Sequence, residues 1–417
     1  MANGKPNAGL MDVPSQLDVD DLTAEVELEL PDSSNVVMAD IEATDVGSIE
    51  ISPEDDGGVV IDFDPQDQRG VSDDFYMNLA EEIPDRELAR LSSDLLSEFD
   101  ANKASRQEWE DAYTNGLELL GFTYDERTQP FRGASGVTHP LLAEAATQFQ
   151  AQAFNELLPA SGPVRTVVMG KDTVSKTQQA SRVQQFMNYY ITNVMEEYTP
   201  DMDQMLFYLP LAGSTFKKTY YDETLGRAVS KFVPAENLVV PYETSDLETC
   251  PNITQVVRMS LNDLRKRQIN GTYLDVEVLP AQKEMSDLDG ELDRIEGMEP
   301  NQIDYDCTIL ECHVDLDLEG YEDLDDDGEP TGIKIPYVVT ISEDNGQVLS
   351  IRRNYREEDE LRKKIQYFTH FKFLPGFGFY GLGLIHTIGG LSRTATAALR
   401  QLIDAGTLSN LPAGFKA

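Results

Sequence analysis

The amino-acid pattern of this chain changes in blocks, and the order of those blocks is what most constrains its fold. Residues 84–211 carry apolar positions three and four apart, which is typical of helices that bury one face. Residues 214–260 and 305–372 instead alternate apolar and polar side chains, which predicts β-strands. A further helical pattern follows at residues 382–405. Helices and strands that come in separate runs predict an α+β fold.

The first helices have expected start and stop signals. Asp85 is predicted to be the N-cap of the first helix. The apolar stripe of that helix is Leu88, Leu91, Leu95 and Phe99. Ser105 and Glu108 match a capping box and predict the start of a second helix. Gly121 is expected to end that helix in a left-handed conformation.

Later segments carry strand and turn signals. The stretch "SGPVRTVVMG", residues 161–170, predicts a strand, and a long helix is expected over 175–197. Residues 222–226 and the pair Asn345-Gly346 predict hairpin turns, because Asn and Gly suit the positive φ angles of primed turns. An acidic, helical segment is expected over 280–299.

Negative charge is concentrated at the start of the sequence. The chain has a net charge of −42, and residues 1–85 contain 23 acidic residues against two basic ones, Lys5 and Arg69. Residues 1–83 have too few apolar side chains to bury a core, so we expect them to be disordered. Affinity for duplex DNA comes mostly from Lys and Arg, so this acidity argues against conventional DNA binding. It is compatible with a surface past which DNA slides, or with solubility alone.

The cysteines and the hydropathy indicate a compartment. Cys250, Cys307 and Cys312 make an odd number without paired spacing, which predicts a reducing environment. No apolar run reaches the ~18 residues that a membrane span needs. The first residues lack the charged and then apolar order of a signal peptide. We therefore expect a cytosolic or cytosol-assembled protein with no membrane anchor.

Three glycines in "FKFLPGFGFYGLGLIHTIGG" imitate a nucleotide-binding motif. Gly376, Gly378 and Gly381 fit G-x-G-x-x-G after an apolar run and before a helical pattern. A dinucleotide fold also needs a second parallel strand with an acid at its end, and the bulky residues between these glycines would obstruct a pyrophosphate. The interpretation we favour is an abrupt corner from strand to helix that binds no nucleotide. A nucleotide-binding enzyme remains the third alternative.

An acidic stretch imitates a calcium-binding loop. In "DLDDDGEPTGIK", Asp323, Asp325 and Asp327 match the first three ligand positions, and Gly328 matches the glycine that follows. Lys334 stands where the loop needs a bidentate Glu. A solvated hairpin tip is the favoured interpretation, and weak binding of calcium or another divalent ion is the alternative.

Other motifs do not indicate an enzyme. Cys307, Cys312 and His313 are the only close set of soft metal ligands, and on a strand Cys312 would face away from the other two. The sequence lacks the nucleophile, metalloprotease and Walker motifs. We therefore expect neither catalytic residues nor a bound cofactor. Arg393 and Arg400, seven apart on the last helix, lie close to one stripe and are candidates for contact with a partner, DNA or water.

Two stretches carry a family resemblance. Residues 211–268 contain a helix that ends at a small residue, a hairpin, a strand within the stretch "PAENLVVP" and an arginine-bearing strand. Residues 367–406 contain the glycine-rich corner and the last helix. These stretches resemble the wing region, and the passage from clip to second stem helix, of the portal proteins of tailed double-stranded DNA bacteriophages. With the helices that begin at residue 84, the resemblance covers roughly residues 84–417.

The resemblance implies a homo-oligomeric ring, usually of twelve subunits, around a DNA channel at one capsid vertex of the virion. Its implied partners are the large terminase subunit, the major capsid and scaffolding proteins, head-tail adaptor or tail proteins, and the duplex DNA that passes through. The implied domains are a wing over 84–279, a first stem helix and linker over 280–304, a clip-like β domain over 305–372, and a corner with the second stem helix over 373–417. Arg393 and Arg400 are the implied channel-facing candidates.

One departure from the family stands out. Portal proteins continue past the second stem helix into a tunnel loop, further wing residues and often a crown, so the sequence is expected to be a truncated form. The runner-up function is an acidic calcium-binding interaction protein that uses the loop at residues 323–334. That function predicts stabilisation by calcium, which Asp325→Asn would abolish.

Overall fold

A computed structural model describes residues 50–53, 59–62, 75–122, 124, 126–171, 173–222, 225–278, 286–297, 306–324, 329–359 and 361–410. The chain divides into two compact units, Met1–Gly70 and Val71–Ala417. In the first unit, strand β1 (Glu50–Pro53) pairs antiparallel with β2 (Val59–Asp62). The other residues of the first unit, for which disorder was expected, lie outside the described part of the chain.

The described part of the second unit contains eight α-helices. They are α1 (Asp85–Ser105), α2 (Gln107–Leu117), α3 (Leu141–Leu157), α4 (Val174–Tyr189), α5 (Tyr198–Ala212), α6 (Leu261–Ile269), α7 (Asp287–Glu296) and α8 (Leu384–Asn410). None of these helices combines the length and the apolar character that crossing a membrane requires.

The described strands of the second unit form two antiparallel sheets, so the mixed helix and sheet content agrees with the predicted α+β class. One sheet has the order β10 (Phe368–Lys372), β3 (Ser214–Asp222) and β4 (Arg227–Pro234). The other has the order β5 (Leu238–Val239), β6 (Asn252–Ser260), β7 (Asp306–Leu316), β8 (Ile335–Ser342) and β9 (Val348–Arg353).

Helix α1 packs on the five-stranded sheet, and α5 packs through Met205 and Leu206 against Phe232 of the three-stranded sheet. Helix α1 lays Leu95 and Phe99 on the five-stranded sheet, where they meet buried residues such as Tyr337. Helices α2, α3, α7 and α8 meet around Tyr113 and Ile385 in a separate core. Burial of large apolar side chains, at about 25 cal/mol per Å², is the main stabilising term in both places.

Arg106 separates α1 from α2 and ties them to the sheets. Its guanidinium pairs with Glu110 at 2.8 Å and donates to the carbonyl oxygens of Ala235, Glu236 and Leu238. A charged group with this many buried partners fixes the position of the helix junction. The predicted capping box is wrong, because the Ser105 hydroxyl donates to Asn102 and α2 begins without a side-chain cap.

The predicted boundary between wing and clip-like β domain falls inside one sheet. Strand β6 belongs to the predicted wing and β7 to the predicted clip, and they pair along their whole length from Asn252↔Val314 to Ser260↔Asp306. Strand β10, assigned to the clip, pairs with β3 of the wing. The predicted stem segments 280–304 and 382–405 contain α7 and α8, and residues 279–285 and 298–305 lie outside the described part.

Two further expectations need correction. Packed structure begins earlier than residue 84, because Leu79 is fully buried and the amide of Asn78 donates to the carbonyl of Leu349. The stretch 161–170 is not a strand, because no described strand lies beside it. The hairpin at Asn345-Gly346 is present, although only Gly346 takes a positive φ, of 67°.

Candidate functional site: helix α8, its cleft and its exposed stripe

A corner of glycines positions the start of α8. Gly213 follows α5 with a φ of 83°, and its carbonyl accepts from the Phe373 amide at 3.0 Å. A Cβ atom on Gly383 would lie 2.1 Å from the Leu211 carbonyl oxygen, and one on Gly381 would lie 2.4 Å from that of Gly213. Both glycines are therefore required because two backbone segments touch.

Two of the three aromatic residues of this corner, Phe379 and Tyr380, face inward, whereas Phe377 is fully exposed. Phe379 is buried, and the Tyr380 ring stacks on Trp109 at 4.7 Å while its hydroxyl donates to the Leu238 carbonyl. Strand β10 ahead of the corner is antiparallel to β3, whereas a dinucleotide fold needs parallel strands. Close backbone contacts account for Gly376 and Gly381, whereas Gly378 has open space around it.

One face of α8 holds a loop in place. The Asp404 carboxylate accepts from the Ser135 amide at 2.7 Å, and the Thr396 hydroxyl accepts from the His139 amide at 3.0 Å. The Arg400 guanidinium donates to the Val137 carbonyl at 2.7 Å and to the Thr138 hydroxyl at 3.1 Å. These helix side chains replace the strand partners that the loop backbone lacks.

A cleft of about 620 Å³ lies between this loop and α8, and we call it the α8 cleft. Three arginines line it, Arg127, Arg393 and Arg400, together with the carboxylates of Glu118 and Asp404. The sequence correctly predicted that Arg393 and Arg400 share one side of the helix. Arg400 binds the loop, whereas Arg393 is exposed. Their contact with DNA stays a prediction.

The opposite face of α8 carries a second apolar stripe. Its members are spaced alternately four and three residues apart, and they are Leu391, Ala395, Ala398 and Leu402. At 100° per residue they lie about opposite the buried positions Ile385, Gly389 and Thr396. Leu402 is 73% exposed. A 3.5-residue repeat of leucine and alanine is the pattern by which helices pack on other helices.

The acidic loop is engaged by its own neighbours. Strand-like pairing joins Leu324 to Pro330, and the Asp323 carboxylate accepts from the Thr331 hydroxyl at 2.6 Å and pairs with Arg362. The charge of Asp323 is therefore neutralised by Arg362, whereas in a calcium loop this carboxylate would be free to coordinate the ion. Asp325 and Asp327 lie outside the described residues.

Cys307, Cys312 and His313 do not form a metal site among the described residues. All three cysteines are buried thiols, as in an ordinary β core. No group of three or more His, Cys, Asp or Glu side chains in the described part is arranged to hold a metal ion.

His313 belongs instead to a charged cluster that the sequence did not predict. Glu311 accepts from Lys218 at 2.5 Å and lies 2.8 Å from the His313 ring, so it joins the two sheets. Burial alone would raise the pKa of Glu311, but Lys218 and His313 outweigh it and hold that pKa well below its usual range. The only signal was the consecutive pair Lys217-Lys218 on an alternating strand, which forces one lysine inward.

No protein-family model matches the sequence, and a search of curated proteins found no match either.

Proposed function

We propose that this chain is the subunit of a portal-type ring, the head-to-tail connector of a tailed double-stranded DNA phage. The proposed role is structural and not catalytic: a conduit for DNA packaging and ejection. The resemblance of residues 211–268 and 367–406 to portal proteins supports it. So does the α+β architecture, in which a hairpin-bearing sheet and a long helix meet at the glycine corner.

The observation that carries the proposal is the exposed stripe of α8. Leu391 and Leu402 are too exposed to contribute to the core, yet they repeat with the spacing of a helix-packing face. Exposed apolar patches of this kind mark surfaces where proteins associate. For a ring, the stripe must pack against a different surface of the next copy, because two identical stripes in contact would close as a two-fold dimer, whereas repeated head-to-tail contacts close into rings.

The charge of the chain fits a conduit. A surface with a net charge of −42 repels phosphate, so DNA moves past it without being retained. The ring would assemble in the host cytoplasm at one capsid vertex. On this proposal the partners are the large terminase, the capsid and scaffolding proteins, and the adaptor or tail proteins.

The test is negative-stain electron microscopy and light scattering of the purified full chain, beside the double variant Leu391→Glu/Leu402→Glu. We expect the unaltered chain to give closed rings with a central hole. We expect the variant to remain folded and to lose the rings, because two buried carboxylates would oppose the helix contact. The matched control is Ile269→Glu/Leu361→Glu, which also adds two carboxylates at exposed apolar positions but lies outside α8.

The outcomes separate the possibilities. Rings from the control but not from the double variant would support the proposal and assign the stripe to the contact. A folded monomer from the unaltered chain at every concentration would reject the ring.

A further inference from the structure

Residues 163–189 form an outlying unit that we call the α4 module. It consists of the extended stretch 163–169 and helix α4, which has no buried residue along its 16 positions. The stretch is held to the helix by side chains. The side-chain amide of Asn188 accepts a hydrogen bond from the Val164 backbone amide and donates one to the Val164 carbonyl. The Thr166 hydroxyl donates to the Ala180 carbonyl at 2.9 Å. A helix normally buries one face, so the module is incomplete by itself.

The outward side of the module is apolar. Alternate residues of the stretch point away from α4, and Val167 and Met169 are 85% and 89% exposed. Phe186, Val183 and Met187 add an exposed apolar stripe on the helix. Such large apolar side chains at neighbouring positions indicate a protein contact, since surfaces that bind DNA are more polar.

The backbone of the stretch is also left open. Within the described residues, no hydrogen bond is made by the backbone groups of residues 165–169. The chain covers other open edges with side chains: on β4 the amides of Ser230 and Phe232 donate to the carboxylates of Glu197 and Asp201. Backbone donors on a protein surface of this kind are ready to pair with the carboxylates of another molecule.

The charge of the module is opposite to that of the chain. Residues 157–195 contain one acid, Asp172, and four bases, Arg165, Lys171, Lys176 and Arg182, within a chain whose net charge is −42. Its complement is an acidic surface, and a second copy of this chain supplies one. Two modules facing each other would place like charges together, which disfavours a symmetric contact. A contact between the module of one copy and the acidic surface of the next is the head-to-tail arrangement that a ring needs.

We infer that the α4 module docks onto an acidic surface of the next copy of this chain, and so forms one side of the contact between subunits. Val167 and Met169 are buried in the contact, while carboxylates of the neighbour accept from the open amides and face the four basic side chains. This inference rests on the proposed ring, because it needs the chain to self-associate. The α4 module is a different surface from the α8 stripe, so the two surfaces are tested with separate variants.

The test compares two variants with a matched control. Val167→Asp/Met169→Asp changes the outward face of the stretch, and Lys176→Glu/Arg182→Glu changes only exposed charges of α4. The control Ile269→Asp/Leu361→Asp also adds two carboxylates at exposed apolar positions, outside the module. We expect both module variants to keep the circular dichroism and melting behaviour of the unaltered chain. Their self-association in analytical ultracentrifugation should be at least ~10-fold weaker, while the control still assembles.

A mixing experiment tests the direction of the contact. A module variant keeps its acidic surface, so it should accept the module of an unaltered copy but should not dock onto a further copy, and the assembly then cannot close. Equal amounts of variant and unaltered chain should therefore give short open oligomers in place of rings. Rings from the module variants alone, or an unaltered size distribution in the mixture, would overturn the inference while leaving the ring proposal intact.

Two other results would also overturn the inference. If the unaltered chain shifts a 30-base-pair duplex at physiological salt and the Lys176→Glu/Arg182→Glu variant does not, the module binds DNA and the inference is wrong. If the unaltered chain is monomeric throughout, the ring proposal and this inference fall together.

Discussion

Lys217 is a charged side chain in an apolar place. It is 4% exposed, its ammonium lies 3.9 Å from the centre of the Tyr198 ring, and no hydrogen-bond acceptor within the described residues reaches it. Burial lowers the pKa of Lys217 from 10.5 to about 8, although Asp201 and Glu197 oppose the shift. Keeping this group charged at neutral pH therefore costs stability.

The consequence is a pH dependence with a defined sign. Between about pH 8 and 10.5 the unfolded chain binds the proton that the folded chain releases, so this group makes stability rise with pH in that window. Lys217→Met should remove the rise and increase the free energy of unfolding at pH 7 by on the order of 1–3 kcal/mol. Urea unfolding at pH 7 and pH 10 measures both effects. Lys231→Met, at an exposed position of β4, is the control, and a destabilised Lys217→Met would contradict the account.

Arg393 and Arg400 line the same cleft, but only Arg400 is hydrogen-bonded to the loop at residues 136–138, whereas Arg393 is exposed. Arg400→Ala removes donors to the loop at residues 136–138, and we expect a loss of about 1–3 kcal/mol in the free energy of unfolding. Arg393→Ala should change stability by less than about 0.5 kcal/mol, because its side chain is exposed. Chemical denaturation of the two variants side by side measures this. Equal losses would mean that Arg393 also supports the fold.

At the scale of elements, the glycine corner gives a matched pair of substitutions. Gly383→Ala would drive a methyl group into the Leu211 carbonyl, and we expect a loss of more than about 2 kcal/mol. Gly378→Ala has open space and should be neutral or stabilising by up to about 1 kcal/mol, since alanine restricts the unfolded chain. Thermal unfolding of both variants is the measurement. A nucleotide loop would instead lose nucleotide affinity on substitution of Gly378, which belongs to the G-x-G-x-x-G motif.

Element patterns in the sequence were informative wherever the contacts were local. The α1 stripe, the end of the second helix near Gly121 and the hairpin at residues 222–226 were predicted correctly, because each depends on neighbours in sequence. The pairing of β6 with β7 joins segments that the sequence separates by some 45 residues, so periodicity could not reveal it. The strand prediction at 161–170 failed for a related reason: β propensity describes a segment, whereas a strand requires a partner.

At the candidate site, too, local features were predicted from the sequence and long-range contacts were not. Spacing alone placed Arg393 and Arg400 on one side of α8, because seven residues are close to two turns. It could not reveal that Arg400 would be bound by a loop more than 260 residues earlier in the chain. The cluster of Lys218, Glu311 and His313 was equally hidden, since its members come from two sheets.

At the scale of the whole molecule, two electrostatic effects oppose each other in self-association. Copies that each carry a net charge of −42 repel over long distances, whereas the basic α4 module attracts an acidic surface at contact. Salt acts on them unequally. The screening length falls from about 30 Å at 0.01 M to about 10 Å at 0.1 M, so repulsion across a whole subunit weakens strongly. Partly desolvated contacts at 3–4 Å are screened much less.

We therefore expect self-association to strengthen as sodium chloride is raised from about 10 mM to about 150 mM, because the long-range repulsion is the effect that salt removes. Sedimentation velocity at fixed protein concentration measures the shift toward larger species. The Ile269→Asp/Leu361→Asp control should need slightly more salt, since each copy then carries two more negative charges. Steady dissociation over the same range would show that exposed ion pairs, and not buried apolar surface, hold the copies together.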